Sequence, residues 1–312
     1  MDTKKRNIWV LGGTGFIGSS LVRQLSTDPK NLIHMLVHKN IPARYLESFN
    51  IFTGDIRSFD LFWLERYPPD IIYHLARLGG TNTVTRSLAA HMGASANQRL
   101  INYLLGLSSP PRIVYVSGSL VYGHQKEGAA ADEQSKLLPV SFARHYLIGE
   151  APWIRIQDER RLDVRFARPG WIVGPDSWFK VFYWNHYKKT GKVPMYGEGK
   201  QLMSLVQLDD CAGQIAMLGE HGSTMQNMNI FSGEPVSQYT FARTLADLLH
   251  TNLDPIAIET LQNIYGRAIG EAFTSSIPLR TCVPETAGRY QNISPDVRTI
   301  LQKTISLLKN EQ

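Results

Sequence analysis

At 312 residues, 43% hydrophobic and 19% charged, the chain has enough apolar sequence for a large core and no segment whose composition demands disorder. Its net charge of +6 is spread along the chain rather than gathered into a run, which argues against a nucleic-acid surface and fits a mildly basic one that helps attract an anionic ligand. Cys211 and Cys282 are too few for a disulfide framework and lack metal-ligand spacing, no stretch approaches a membrane span, and Met1-Asp2-Thr3-Lys4-Lys5-Arg6 runs into a strand without a signal region, so a cytoplasmic location is expected.

The first apolar run, Ile8–Leu11, reads as a strand, and Gly15–Ser26 behind it as a helix. Strands follow at Leu32–Val37, Ile51–Thr53 and Ile71–His74, then a helix at Thr85–Leu107. Pro110-Pro111 stops that helix and admits the strand Ile113–Ser117. A helix over Val140–Arg161 and a strand over Val164–Ala167 complete the series. Short apolar runs alternating with helical patterns predict an α/β fold, a Rossmann-like doubly wound parallel sheet with right-handed crossovers. After about residue 170 turn signals multiply at Gly174-Pro175, Gly191 and Gly197-Glu198-Gly199. Helices are expected at Asp209–Glu220, with Cys211 as a small buried residue at its start, and at Gln238–His250 and Pro295–Lys309. The expected division is a dinucleotide-binding domain over 1–170 and a smaller C-terminal substrate-binding lobe over 171–312, partly interleaved with the sheet.

Between the first strand and helix lies Gly12-Gly13-Thr14-Gly15-Phe16-Ile17-Gly18. Glycines permit the tight turn and let backbone N–H groups approach a pyrophosphate at the helix N-terminus, so these seven residues are read as a dinucleotide site. Where the second strand ends, NAD-binding chains carry an acidic residue for the ribose hydroxyls. Here the residues are His38, Lys39 and Asn40, with Arg44 behind. The cations His38, Lys39 and Arg44 favour NADP(H) over NAD(H).

Further fragments stand in a familiar order: Gly54-Asp55-Ile56, His74-Leu75-Ala76, Asn97, Val114-Tyr115-Val116-Ser117, Val121-Tyr122-Gly123, Arg168-Pro169 and Leu208-Asp209-Asp210. With the glycine run they make the chain resemble, over nearly its whole length, the extended short-chain dehydrogenase/reductase family, the NAD(P)-dependent epimerase/dehydratase group. The resemblance implies a Rossmann domain with a substrate lobe and, as often in the family, a homodimer. It carries cofactor contacts onto Asp55, Ile56, Leu75, Ala76, Arg77 and Pro169.

The family's chemistry needs a Ser or Thr five residues before the Gly of the Val-Tyr-Gly segment, and a Tyr-x-x-x-Lys pair on the next helix. Counting back from Gly123 places Gly118 at the hydroxyl position, flanked by Ser117 and Ser119. Taking Glu150 as the family's Glu four residues after Lys puts Tyr146 at the Lys position and Phe142 at the Tyr position. A register with Tyr146 as the catalytic Tyr would put Glu150 in place of Lys, and a carboxylate raises a phenol pKa where Lys lowers it. Losing a positioned acid/base forfeits roughly 10²–10⁴-fold in rate, so standard carbonyl reduction is not expected. Tyr146, His124, Ser117, Ser119 and Tyr122 are the candidates for a rebuilt site. His124 follows the active-site loop, and Tyr146 is expected one turn after Phe142 on one helix face.

In the second half, Trp171 and Met203 stand where sugar-nucleotide members carry an Asn and an Arg for the diphosphate; neither can make those contacts. Trp178, Phe179, Phe182, Tyr183, Trp184 and Tyr187 divide between packing and a pocket wall, so an aromatic or apolar small molecule is the expected substrate. Two functional classes stay open: an enzyme with unusual hydride transfer or a non-redox step, and a catalytically silent NADP(H)-binding regulator or sensor.

Overall fold

The computed structural model describes residues 5–38 and 43–310, with the side chains of 43, 44 and 83 left aside. By contact the chain divides into two units that interleave in sequence. One comprises Met1–Ser117, His145–Ala167 and Ala212–Met228; the other comprises Gly118–Arg144, Arg168–Cys211 and Asn229–Gln312.

The first unit is built from β1 (Arg6–Leu11), α1 (Phe16–Leu25), β2 (Asn31–Val37), α2 (Ala43–Ser48), β3 (Asn50–Thr53), α3 (Phe62–Arg66), β4 (Ile71–His74), α4 (Thr83–Leu105), β5 (Arg112–Val116), α5 (Arg144–Asp158) and the start of β6 (Val164–Pro169). Ile8, Trp9, Val10 and Leu11 are all buried, as are the four residues of β4. Continuous burial is what a central parallel strand requires, with both faces covered by helices. Pairings from β3 through β2, β1, β4 and β5 to β6 are all parallel. The sheet order is β10-β6-β5-β4-β1-β2-β3, with β10 at Met228–Ile230. The order reverses between β1 and β4, and a doubly wound sheet opens a crevice at that switch point. The long helix α4 starts at a capping box in which Asn82 accepts from Thr85 N and the Thr85 side chain accepts from Asn82 N.

The helix expected over 140–161 differs at its start. Residues Ser141–Ala143 form a 3₁₀ turn, with Ala143 N–H donating to Val140 O at 2.8 Å, and the α-helix begins at Arg144. Three residues per turn replace 3.6 there, so the four-residue spacing does not place Phe142 and Tyr146 on one face of a single α-helix. Pro at position 152 ends no helix: α5 continues through it to Asp158.

The second unit continues with β7 (Trp171–Val173), α6 (Asn185–Thr190), β8 (Val193–Tyr196), β9 (Leu202–Gln207), the first residues of α7 (Leu208–His221), β11 (Ser232–Ser237), α8 (Gln238–Leu248) and β12 (Leu253–Ile256). Helices α9 (Ile258–Tyr265), α10 (Arg267–Thr274), α11 (Pro284–Ala287) and α12 (Val297–Asn310) close the chain. Its sheets are small, β11-β9-β7 and β12-β8. Most of the aromatic run is its core. Phe179, Phe182, Tyr183 and Trp184 are buried, with Tyr183 5.0 Å from Phe241 and Phe182 4.6 Å from Phe273 between ring centroids. Trp171, Trp178 and Tyr187 pack partly buried against this cluster, so most of the rings expected to divide between packing and a pocket wall pack the core. Cys211 is buried and Cys282 exposed, both as free thiols. Among the described residues no helix is long and apolar enough to cross a membrane.

Candidate functional site

The glycine run forms a turn whose shape excludes side chains. Gly12 has φ +92°, and a Cβ there would lie 3.0 Å from Ala76 N. A Cβ at Gly18 would collide with the carbonyl oxygen of Gly12, so the first turn of α1 rests on the loop itself. Gly15 N–H donates to Gly12 O at 3.0 Å, and α1 starts with Gly15 at its N-cap, no side-chain cap and no acidic residue in its first turn. The first N–H groups of α1 therefore have no side-chain acceptor competing for them, the arrangement that receives a phosphate. Gly12, Thr14 and Gly15 line a cleft of about 640 Å³. Gly13, Phe16, Ile17 and Gly18 are not part of its lining; Gly13 and Gly18 serve it by letting the turn close.

The same cleft is lined by His38, Asp55, Ile56, Leu75, Ala76 and Arg77, six of the residues named from sequence. Lys39 lies outside the described residues, as does the side chain of Arg44. Pro169 falls in the second unit. At the β2–β3 side, Asp55 Oδ2 accepts from Arg57 Nε at 3.0 Å, and Arg57 Nη2 donates to the same oxygen. These bonds hold the Asp55 carboxyl down at about 2. The His38 Nε2 lies 3.9 Å from Asp55 Oδ2. Arg57 also lines the cleft and was not singled out by sequence. Its only signal there is its place two residues after Asp55. Arg99 of α4 donates to Phe59 O at 2.8 Å and so pins the turn that carries Asp55.

Ser117 and Tyr146 lie in the first unit, Ser119, Tyr122 and His124 in the second. Ser117 Oγ donates to Oε1 of Glu150, a fully buried carboxylate on α5. Sequence used Glu150 only to set the helix register; its hydrogen bond to the end of β5 needed the fold. Beside it runs a second polar tie: His74 Nε2 to Asn97 Oδ1 at 2.8 Å, and Asn97 Nδ2 to Gly149 O at 2.8 Å. Burial pushes the His74 imidazole down to about 4, so the ring is neutral at pH 7, and the chain β4–α4–α5 is a structural anchor rather than an acid–base relay. Tyr146, next to it on α5, has the Arg77 guanidinium over its ring at 4.1 Å.

In the second unit the polar groups serve the fold. Tyr122 is buried; its hydroxyl donates to Asn229 Oδ1 at 2.8 Å and accepts from Arg168 Nη1 at 3.3 Å. Burial pushes its phenol up. His124 is exposed, and its Nδ1 accepts from Ser276 N at 3.1 Å, which makes it a loop latch and removes the lone pair that a base there would use. Ser119 is buried in a 3₁₀ turn. Gly118, which the resemblance aligns with the family's hydroxyl position, has extended backbone at φ 179°, and a Cβ there would meet nothing nearer than Pro169 O at 4.0 Å. The backbone does not demand glycine at that position.

A family model described as the NAD dependent epimerase/dehydratase family matches residues 8–231. No curated protein matches the sequence significantly. Among solved structures, the fold is similar to that of dTDP-glucose 4,6-dehydratase from Bacillus anthracis in complex with NAD, at 16% identity over 98% of this chain and 97% of that one, TM-score 0.78. It is similar to UDP-glucuronic acid 4-epimerase from Bacillus cereus in complex with UDP-glucuronic acid and NAD, at 18% identity over 98% and 100%, TM-score 0.77. A dTDP-glucose 4,6-dehydratase from Streptomyces venezuelae, with NAD bound, matches at 22% identity over 98% and 100%, TM-score 0.74.

Proposed function

The chain belongs to the NAD dependent epimerase/dehydratase family, and on that premise we propose that it is an enzyme that binds NADP(H) in preference to NAD(H) and works on an apolar or aromatic small molecule without the family's Ser/Tyr/Lys set. The observation that carries this reading is a glycine-loop cleft complete in its backbone; beside it, the three positions that the resemblance aligns with the catalytic set read Gly118, Phe142 and Tyr146. The cofactor preference is supported by His38 and Arg57, two basic side chains lining the cleft beyond β2 and β3, where a 2′-phosphate is recognised. A nicotinamide dinucleotide supplies hydride transfer when bound. This chain's own contribution is to cradle the pyrophosphate on the N-terminus of α1 and to present the Tyr146 hydroxyl, a phenol able to donate a proton.

Ser117, tied to Glu150, and Tyr122, tied to Asn229, are bound into the fold; Tyr146 on α5, stacked by the Arg77 guanidinium, is the acid we propose. Against a nucleotide-sugar substrate stand Trp171 and Met203; Met203 is buried in β9 and has neither charge nor exposure for a diphosphate. Calorimetric titration with NADPH and NADH tests the first claim: tighter binding of NADPH is expected, and equal or stronger NADH binding overturns it. Tyr146→Phe is expected to abolish conversion while retaining cofactor. A wild-type chain that binds cofactor yet turns over no member of an aromatic ketone, alcohol and lactone panel would favour the silent regulator instead.

A further inference from the structure

The two ends of the cleft are distinguished by topology. The helix α1 N-terminus marks the pyrophosphate, and His38 and Asp55 at the ends of β2 and β3 mark the adenosine side. The side toward β4 and β5 is then the nicotinamide side. Arg77, three residues beyond the end of β4, lies there.

Arg77 is exposed, lines the cleft and is held in place on two counts. Its Nη2 donates to Val116 O at the end of β5 at 2.9 Å. The Tyr115 phenol lies near enough to feel its charge, which works against the burial that pushes that phenol up. Its guanidinium lies 4.1 Å from the centroid of the Tyr146 ring, a cation–π stack that fixes the plane of both groups. A guanidinium has five N–H donors, so most of them stay available to a ligand after these contacts. Meanwhile Tyr146 occupies the position at which the family carries its lysine on α5, so this helix offers no cation of its own there.

Resting on the dinucleotide-binding reading above, we infer that Arg77 takes the place of that lysine from a different element: it is the fixed cation at the nicotinamide end of the cleft, a positioning residue that stacks Tyr146 and donates to the ribose hydroxyls of the nicotinamide half. The supporting geometry is local to β4, β5 and α5. An Arg on a strand end is preorganised by its backbone-carbonyl bond, whereas a flexible Lys would need the helix to aim it. The planar fork also explains the residue type, since Lys cannot stack flat on a ring and donate in its plane at once.

The test separates the two halves of the ligand. Binding of NADPH and of adenosine 2′,5′-bisphosphate, which lacks the nicotinamide half, is measured by calorimetry for the wild type, Arg77→Met, Arg77→Lys and Tyr146→Ala. Arg77→Met is expected to weaken NADPH about tenfold, the scale of a lost charge-assisted hydrogen bond, and to leave the bisphosphate unchanged. Tyr146→Ala is expected to weaken NADPH less, and the double variant no more than Arg77→Met alone, because the ring acts through the guanidinium. Arg77→Lys should recover only part of the loss. Equal NADPH affinity in Arg77→Met and wild type overturns the inference. Equal losses for both ligands overturn it too, since they would mean a general change of charge or fold. Should the wild type bind neither ligand, the dinucleotide reading itself fails, an outcome distinct from either.

Discussion

Gly18 and Gly118 both follow strands of the same sheet, yet one is fixed by its surroundings and the other is not. At Gly18 a single added carbon meets the Gly12 carbonyl oxygen and, at 2.9 Å, the Gly13 Cα; both obstacles are backbone, which cannot step aside without undoing the turn. At Gly118 the nearest atom to an added carbon is 4.0 Å away and the backbone is extended. The glycine loop is a site made of main chain, and backbone closure fixes Gly12 and Gly18 in it. At Gly118 a side chain can be added without meeting the surrounding fold. A change of side chain is therefore open at the second place and closed at the first.

The sharpest way to break that comparison is Gly18→Ala. Backbone overpacking of this kind costs about 3 kcal/mol, and the distorted turn should weaken dinucleotide binding at least ~100-fold, the scale of about 3 kcal/mol. Calorimetry and thermal unfolding would show both; a variant binding as wild type would mean the loop can relax after all.

Acid should act next, through the buried tie at His74. Burial lowers the His74 pKa to about 4, below the unfolded value near 6.5. Between those values the unfolded chain holds a proton that the folded chain does not, so stability is fully present above pH ~6.5 and falls as the pH drops toward 4, by about 1.4 kcal/mol per pH unit. His34, buried on β2 between Asn7 and Asn50, is lowered to about 4 in the same way. Urea unfolding at pH 7 and pH 5 should show the loss, and His74→Gln should remove about half of the slope. An unchanged slope would show that the β4–α4–α5 tie opens to water.

A smaller effect is expected from Ser117→Ala, which deprives the buried Glu150 carboxylate of its hydroxyl donor. The cost is about 1–2 kcal/mol of stability, read as a lower melting temperature, with cofactor affinity unchanged. A loss of affinity instead would make Ser117 part of the cleft. Least of all, Gly118→Ser should change stability by no more than ~0.5 kcal/mol. If it unfolded the protein, the freedom claimed for that position would be lost, and with it the contrast with Gly18.

Much of this was legible in the residues. The strand Ile71–His74 falls where periodicity placed it, and β1, β2, β3 and β5 differ from the expected runs only by a residue or two at their ends, because a parallel strand buried on both faces reads as an uninterrupted apolar run. The glycine loop was legible because its constraint is local. The 3₁₀ start at Ser141 was not: helical periodicity continues smoothly through it, and only the Ala143–Val140 bond distinguishes the two helix types. Nor could residue order divide the aromatics of 178–187 between core and surface, since the same ring serves either.

What the sequence by itself determined is the α/β alternation and the glycine turn at Gly12–Gly18. Each of these depends on residues close together in the chain or on what a given residue type lacks. Which polar groups meet was decided by the tertiary structure alone. Ser117 finds Glu150 across 33 residues, Arg77 finds Val116 across 39, and Tyr122 finds Asn229 across 107. Hydrogen bonds between residues so far apart leave no periodicity behind them; they form because the fold brings distant segments together, and burial then requires each polar group to find a partner there.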